Sequence, residues 1–211
     1  MAQAQLKPAE AKAEAEDVCV VSASQGIGSL FERNYSAVIT DGSCSPEDLM
    51  KLVREKFISL APQETAAFRL ANNRGDHEGL EVGDVLEIRI ALFGMAKVRV
   101  IHVDDRSITL GTVKGHPEAG RITFGASKDP EGRLVFRIVS RTRASGVASY
   151  LGFFLIGKQM QSRCWIRFID RTAKACGGTI EGRIRVCTTT VEETEADRGV
   201  LESPTIICKD S

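Results

Sequence analysis

The stretch from residue 85 to residue 142 constrains this chain most. It alternates apolar and polar residues with a period of two and is broken only by short turns. Leu86, Ile88, Ile90 and Leu92 fall on one side, with Glu87 and Arg89 on the other. Strand side chains project alternately to two faces, so the pattern describes a sheet with one apolar and one wet face. Strands are expected over residues 34–40, 65–71, 85–93, 97–103, 107–113, 121–126 and 134–142. The separators Gly94, Asp104-Asp105, Pro117 and Asp129-Pro130-Glu131-Gly132 are turn formers. Connections this short join antiparallel neighbours, so the expected sheet is a meander.

Two helices complete the pattern. In the first, Ser45 is the N-cap, Pro46 takes the first helical position and Asp48 closes a capping box. Leu49, Leu52, Val53 and Phe57 then recur at helical spacing, and Pro62 ends the segment. The second spans residues 147–176 and stops at Gly177-Gly178. Projected at about 100° per residue, it separates two faces. Gln159, Arg163, Arg167, Asp170 and Lys174 form a polar stripe; Tyr150, Phe154, Gly157, Gln161, Cys164, Phe168 and Thr172 lie opposite, on the face that must meet the sheet.

With 211 residues, 43% of them hydrophobic, the chain can bury one ordinary core. Residues 1–30 and 181–211 are expected to be tails flanking a domain over 31–180. The 28 basic and 28 acidic residues cancel, so the chain lacks the basic surplus of a general nucleic-acid binder. It has no apolar run of about 18 residues, so no membrane span is expected, and its first 17 residues lack the apolar core of a secretory signal. The six cysteines show no C-x-x-C spacing and have no nearby histidine. They are read as reduced thiols of a cytoplasmic protein, with no metal and no cofactor.

Particular residues carry a resemblance. They are Gly83 in Leu-Glu-Val-Gly-Asp, Gly115-His116-Pro117-Glu118-Ala119-Gly120, Phe124, the segment 136–141, and the glutamine-rich helix segment 158–161. Together with the order strand, capped helix, sheet, long helix, residues 33–177 resemble a domain-of-unknown-function family. That family lies within the START-like helix-grip superfamily, which includes polyketide cyclases, plant allergens and lipid-transfer domains. The resemblance implies an α+β helix-grip fold, a curved antiparallel sheet wrapped around a long C-terminal helix. It also implies an internal cavity for a small hydrophobic or amphipathic ligand.

Within that frame His116 and Glu118 are the candidate acid and base, since a carboxylate beside an imidazole raises its pKa and orients the ring. Gln161 on the apolar helix face, with Tyr150 and Phe154 on the same face, is expected to contact ligand. Strand alternation adds Tyr35, His102 and Ser140 as inward polar residues. The expected function is binding of a hydrophobic metabolite and a non-redox rearrangement of it: cyclisation, isomerisation or dehydration of a polyketide-like substrate. The alternative is a carrier or sensor that does no chemistry. Val20-Val21-Ser22-Ala23-Ser24-Gln25-Gly26-Ile27-Gly28 looks like a nucleotide-binding turn, but no helical pattern follows it. Arg137 and Arg141 are expected on a solvated outer face, paired with residues such as Glu87.

Overall fold

The computed structural model describes residues 19–64, 66–71, 79–90 and 94–196, with backbone alone over 148–160. The chain runs β1 (Ile27–Thr40), α1 (Pro46–Leu60), β2 (Ala66–Leu70), β3 (Val85–Ile90), β4 (Gly94–Val103), β5 (Ser107–Thr112), β6 (Glu118–Lys128), β7 (Leu134–Ala144), α2 (Val147–Ala175) and β8 (Thr179–Thr190). The strands form one antiparallel sheet in the order β2-β3-β4-β5-β6-β7-β1-β8. Both helices pack on the same apolar face, giving the α+β helix-grip fold.

The capping box predicted for α1 is present. The Asp48 N–H donates to Ser45 Oγ at 3.1 Å, and the Ser45 N–H donates to Asp48 Oδ2 at 3.2 Å. Two otherwise orphaned amides are thereby satisfied, fixing where the helix starts. Leu49, Val53 and Phe57 of α1 are buried together with Phe124, Phe136 and Phe168. Phe57 meets Phe124 edge-on with ring centres 5.0 Å apart, and Phe68 at 5.7 Å. Edge-on pairs of this kind add about 0.5–1.5 kcal/mol beyond the area they bury. The aromatic cluster thus ties α1, α2 and the sheet into one core.

Four expectations are corrected. The first concerns the tails, because the ordered body extends past both expected boundaries. β1 begins at Ile27, and β8 carries the sheet to Thr190. β8 escaped the periodicity because its alternation is broken at Gly182 (φ 70°), where four residues of β8 span two of β1 between the Ser36 and Val38 pairings.

His102 does not continue the inward row of Val98 and Val100. An irregularity between Val100 and His102 shifts the β4–β5 register, leaving His102 exposed while Val103 packs toward the core. Arg141 points outward yet is buried. Its Nε donates to Glu32 Oε2 at 2.7 Å and its Nη1 to the Glu195 carbonyl at 2.7 Å, while Glu87 pairs with Arg69 instead. Finally, Cys187 is disulfide-bonded, whereas Cys19, Cys44, Cys164 and Cys176 are free thiols. Six reduced cysteines are therefore not present, and the thiol argument for a cytoplasmic location falls with them.

The glycine-containing segment before β1 forms a three-residue 3₁₀ turn, Ala23–Gln25, closed by Ser22 and Gln25, and runs directly into the strand. No helix N-terminus stands there to receive a phosphate.

Candidate functional site

Between the sheet and the second half of α2 lies a cavity of about 100 Å³. Phe68, Ile88, Ile90, Val98, Leu110 and Ile122 make its apolar wall. His116, Glu118, Ser140, Thr142, Gln161 and Trp165 make its polar end. A water takes up about 30 Å³ of liquid, so the space suits one ring or a short chain.

The backbone places this polar end. Ser140 is the register partner of Ile122, and Thr142 that of Gly120, so β6 and β7 present their inward residues side by side. Gly120 sits at φ 140°, and a Cβ there would stand 2.1 Å from the Arg141 carbonyl oxygen. Thr112 Oγ1 accepts from the Gly120 N–H at 3.0 Å and donates to the Gly120 carbonyl at 3.2 Å. This clamped irregularity follows Glu118 directly and sets the direction of that side chain.

Glu118 is 5% exposed and fully engaged. Its Oε1 accepts from Arg33 Nη1 at 3.1 Å and from Thr142 Oγ1 at 2.9 Å. Its Oε2 accepts from Gln161 Nε2 at 3.2 Å. A carboxylate held by three donors, one of them a buried guanidinium, is an anchor that sets the Gln161 amide in one orientation. The Gln161 Oε1 is thereby left facing away from any protein donor.

His116 lies in the β5–β6 turn, with its amide bonded to the Val113 carbonyl at 2.9 Å. His116 Nδ1 lies 3.0 Å from the Glu118 N and 3.1 Å from the Glu118 carbonyl oxygen, so the backbone of Glu118 holds the ring. Burial pushes the imidazole pKa below its usual 6.5 and outweighs the nearby Glu118 carboxylate, which acts upward. This reverses the direction expected from sequence. A pH dependence follows. The unfolded chain binds a proton near pH 6.5 while the folded ring resists it. The stability contributed by a neutral His116 is therefore complete above that pH and is lost as pH falls toward the depressed folded value. Urea unfolding from pH 8 to pH 5 is expected to show this decline, and His116→Gln to flatten it; an unaltered pH profile in the variant would remove His116 as its source.

Among the described residues, three groups at the polar end are buried and have no hydrogen-bond partner: Ser140 Oγ, Gln161 Oε1 and Trp165 Nε1. An unsatisfied buried polar group costs about 1–3 kcal/mol, so three around one cavity are a strong departure from a dry packed core.

The other expected residues lie elsewhere. Tyr35 is buried beside the cavity without lining it; its hydroxyl is 3.1 Å from Ser162 Oγ, and burial raises its pKa. His102 Nε2 is 2.8 Å from Asp104 Oδ2 on the outside. The side chains of Tyr150 and Phe154 lie outside the described residues. Arg33, Thr142 and Trp165 belong to the site without having been singled out. Trp165 had a signal, since 161, 165, 168 and 172 follow one helical stripe. Arg33 shares the inward face of β1 with Tyr35, but an arginine there reads as a break in the pattern.

Among the described residues no group of three or more His, Cys, Asp or Glu could hold a metal ion, and no helix is long and apolar enough to cross a membrane.

A long helix gripped by an antiparallel sheet, with a cavity between them, defines a helix-grip protein. Residues 34–171 match the family described as "Domain of unknown function (DUF1990)", and the chain belongs to that family. The KanY protein, solved by NMR, is similar in fold, with a TM-score of 0.50 and 10% identity over 72% of this chain and 100% of that one. Norcoclaurine synthase from Thalictrum flavum, in complex with dopamine and hydroxybenzaldehyde, aligns at a TM-score of 0.49 and 10% identity over 69% of this chain and 86% of that one. A major latex-like protein from Panax ginseng gives 0.38 and 18% over 65% and 99%. No curated protein matches the chain by sequence.

Proposed function

We propose that this protein binds a small hydrophobic or amphipathic metabolite in the cavity beneath α2 and rearranges it without redox chemistry. The observation that carries the reading is the convergence of Ser140 Oγ, Gln161 Oε1 and Trp165 Nε1, all without partners, on an otherwise apolar space. These groups specify the ligand. Gln161 Oε1 asks for a donor, Trp165 Nε1 for an acceptor, and the Ser140 hydroxyl can serve as either. A ring bearing a hydroxyl or an enolisable carbonyl satisfies all three while its body fills the apolar end.

In the catalytic reading His116 is the proton acceptor and donor. It is neutral at pH 7 and orients by a backbone bond, so it needs no carboxylate to hold it. Glu118 stays an anchor, because an oxygen held by Arg33 and Thr142 is poorly placed to trade protons. Enclosure removes water and holds the substrate near its reactive shape. The fixed state of Glu118 also supports a second reading, a carrier or sensor of the same ligand that does no chemistry.

Trp165 is the sole tryptophan of the chain and lines the cavity, so its emission reports occupancy directly. Native mass spectrometry of the purified protein identifies any small molecule that travels with it. Titration of phenol-sized ligands is then expected to shift Trp165 emission, and Gln161→Leu to weaken binding about tenfold or more, with a stability loss of about 1–3 kcal/mol because Glu118 Oε2 loses its donor. An unshifted emission at saturating ligand, or unchanged affinity in Gln161→Leu, would dismiss the cavity as a binding site. Turnover abolished by His116→Ala with binding retained selects the enzyme; unchanged behaviour selects the carrier.

A further inference from the structure

We propose that the groove on the opposite, outer face of the sheet binds the phosphate group of a small phosphorylated metabolite. The groove has a volume of about 820 Å³ and runs across β7, β1 and β8. Its centre is set by register. Ser36 of β1 is the partner of Arg137 on β7 and of Arg185 on β8, so two guanidinium side chains flank one hydroxyl in a single row across three strands. The bulge at Gly182 brings Arg183 to the same groove.

The charges here are sorted in an unusual way. The acidic residues of the groove all gather on one other arginine. Arg133 bonds Asp129 at 2.8 Å and Glu181 at 3.3 Å, with Glu131 at 3.5 Å. Arg106 is held by Glu47 at 2.7 Å. Glu32, the carboxylate that acts on Arg137 from a distance, is committed to Arg141. No hydrogen bond or ion pair of Arg137, Arg183 or Arg185 is formed among the described residues. Arg137 and Arg185 stand two strands apart with Ser36 between them, a span of about 10 Å by strand spacing that one anion can bridge. Arg137 is also half-buried, and burial pulls its pKa below the usual arginine value. A half-buried guanidinium that no carboxylate contacts is stabilised by an anion.

The number of donors selects the class of anion. Three guanidiniums and a hydroxyl exceed what one carboxylate can accept. A phosphate monoester carries up to two negative charges and three strong acceptor oxygens, and each oxygen pair matches the guanidinium fork. Beside the row, Val38 and Val135 pair across β1 and β7 and line the same groove, so an apolar portion of the ligand has a floor to rest on. Because the chain has no net charge, attraction here is local and is screened by salt.

The test is calorimetric titration of the full chain with phenyl phosphate, with benzoate as the carboxylate of similar shape. Saturable binding of phenyl phosphate is expected, stronger than that of benzoate and weakened by salt. The double variant R183Q/R185Q replaces two exposed side chains and is expected to lower affinity at least about tenfold, as is R137Q. No saturable binding up to roughly 10 mM, or full affinity in R183Q/R185Q, overturns the site. Equal affinity for benzoate overturns the assignment to phosphate. A change in Trp165 emission on adding phenyl phosphate would put the probe in the inner cavity and also overturn the proposal.

Discussion

Glu118→Ala is expected to lower the free energy of unfolding by about 3–5 kcal/mol, because it leaves the Arg33 guanidinium buried without its carboxylate. The contact is 3.1 Å between side chains only 5% and 6% exposed, so solvent screens it little. The same substitution releases two other donors, Thr142 Oγ1 and Gln161 Nε2, both of which lose an acceptor. The damage therefore reaches the cavity: Gln161 is free to turn, and ligand affinity is expected to fall together with stability. Urea denaturation measures the first effect and Trp165 emission the second. A paired replacement separates them. Arg33→Met combined with Glu118→Leu removes both charges and is expected to recover most of the stability, since exchanging a buried ion pair for apolar side chains is often close to neutral. Ligand affinity should not recover, because nothing then orients Gln161. A loss below about 1 kcal/mol in the single variant, the range of an exposed pair, would mean that Arg33 does not depend on Glu118.

The fold was legible in the sequence for definite reasons. Alternation exposed β3 and β4 because each has one dry and one wet face. The Ser45–Asp48 box announced α1 because capping is a local event. Gln161 and Ser140 were expected to point inward because helix and strand periodicities give the direction of a side chain, whereas His116 and Glu118 were drawn from a turn, where periodicity says nothing of direction. What stayed hidden came from irregularity. One register shift after Val100 turned His102 from an inward residue into a surface one. A glycine bulge concealed β8, and with it Arg183 and Arg185 of the outer groove. Arg33 and Arg141 are charged residues in buried positions, and each is tolerated only because a carboxylate distant in sequence meets it. Long-range pairing of that kind leaves no periodic trace.

The sheet also divides its two chemistries by face. Inward residues of β6 and β7 end in neutral or internally compensated groups around an apolar space. Outward residues of β7 and β8 hold positive charge that the groove's own acids do not reach. A ligand with an apolar ring suits the first face and an anion suits the second. Backbone, some strand thickness of it, separates the two, so occupancy of one is not expected to require the other.

The irregularity with the largest expected consequence is at Gly120. Its φ of 140° lies where side chains are rarely tolerated, and the Arg141 carbonyl oxygen stands 2.1 Å from where a Cβ would be. A backbone oxygen cannot swing aside as a side chain does, so Gly120→Ala must push β6 away from β7 in the centre of the sheet. It also disturbs both Thr112 bonds to the Gly120 backbone. The expected loss is about 3–5 kcal/mol, a large share of the roughly 5–15 kcal/mol that holds an ordinary domain folded. Gly115→Ala is the control. That glycine also has positive φ, 93°, but nothing stands within 4 Å of its Cβ position. It is expected to cost only the conformational penalty of about 1–2 kcal/mol. Comparing the two by urea denaturation separates strain from collision. Equal losses would show that the backbone at Gly120 yields to a methyl group, and that the turn after His116 and Glu118 does not depend on the clamp. A much larger loss at Gly120 ties the direction of Glu118, and through it the orientation of Gln161, to a position that admits no side chain at all.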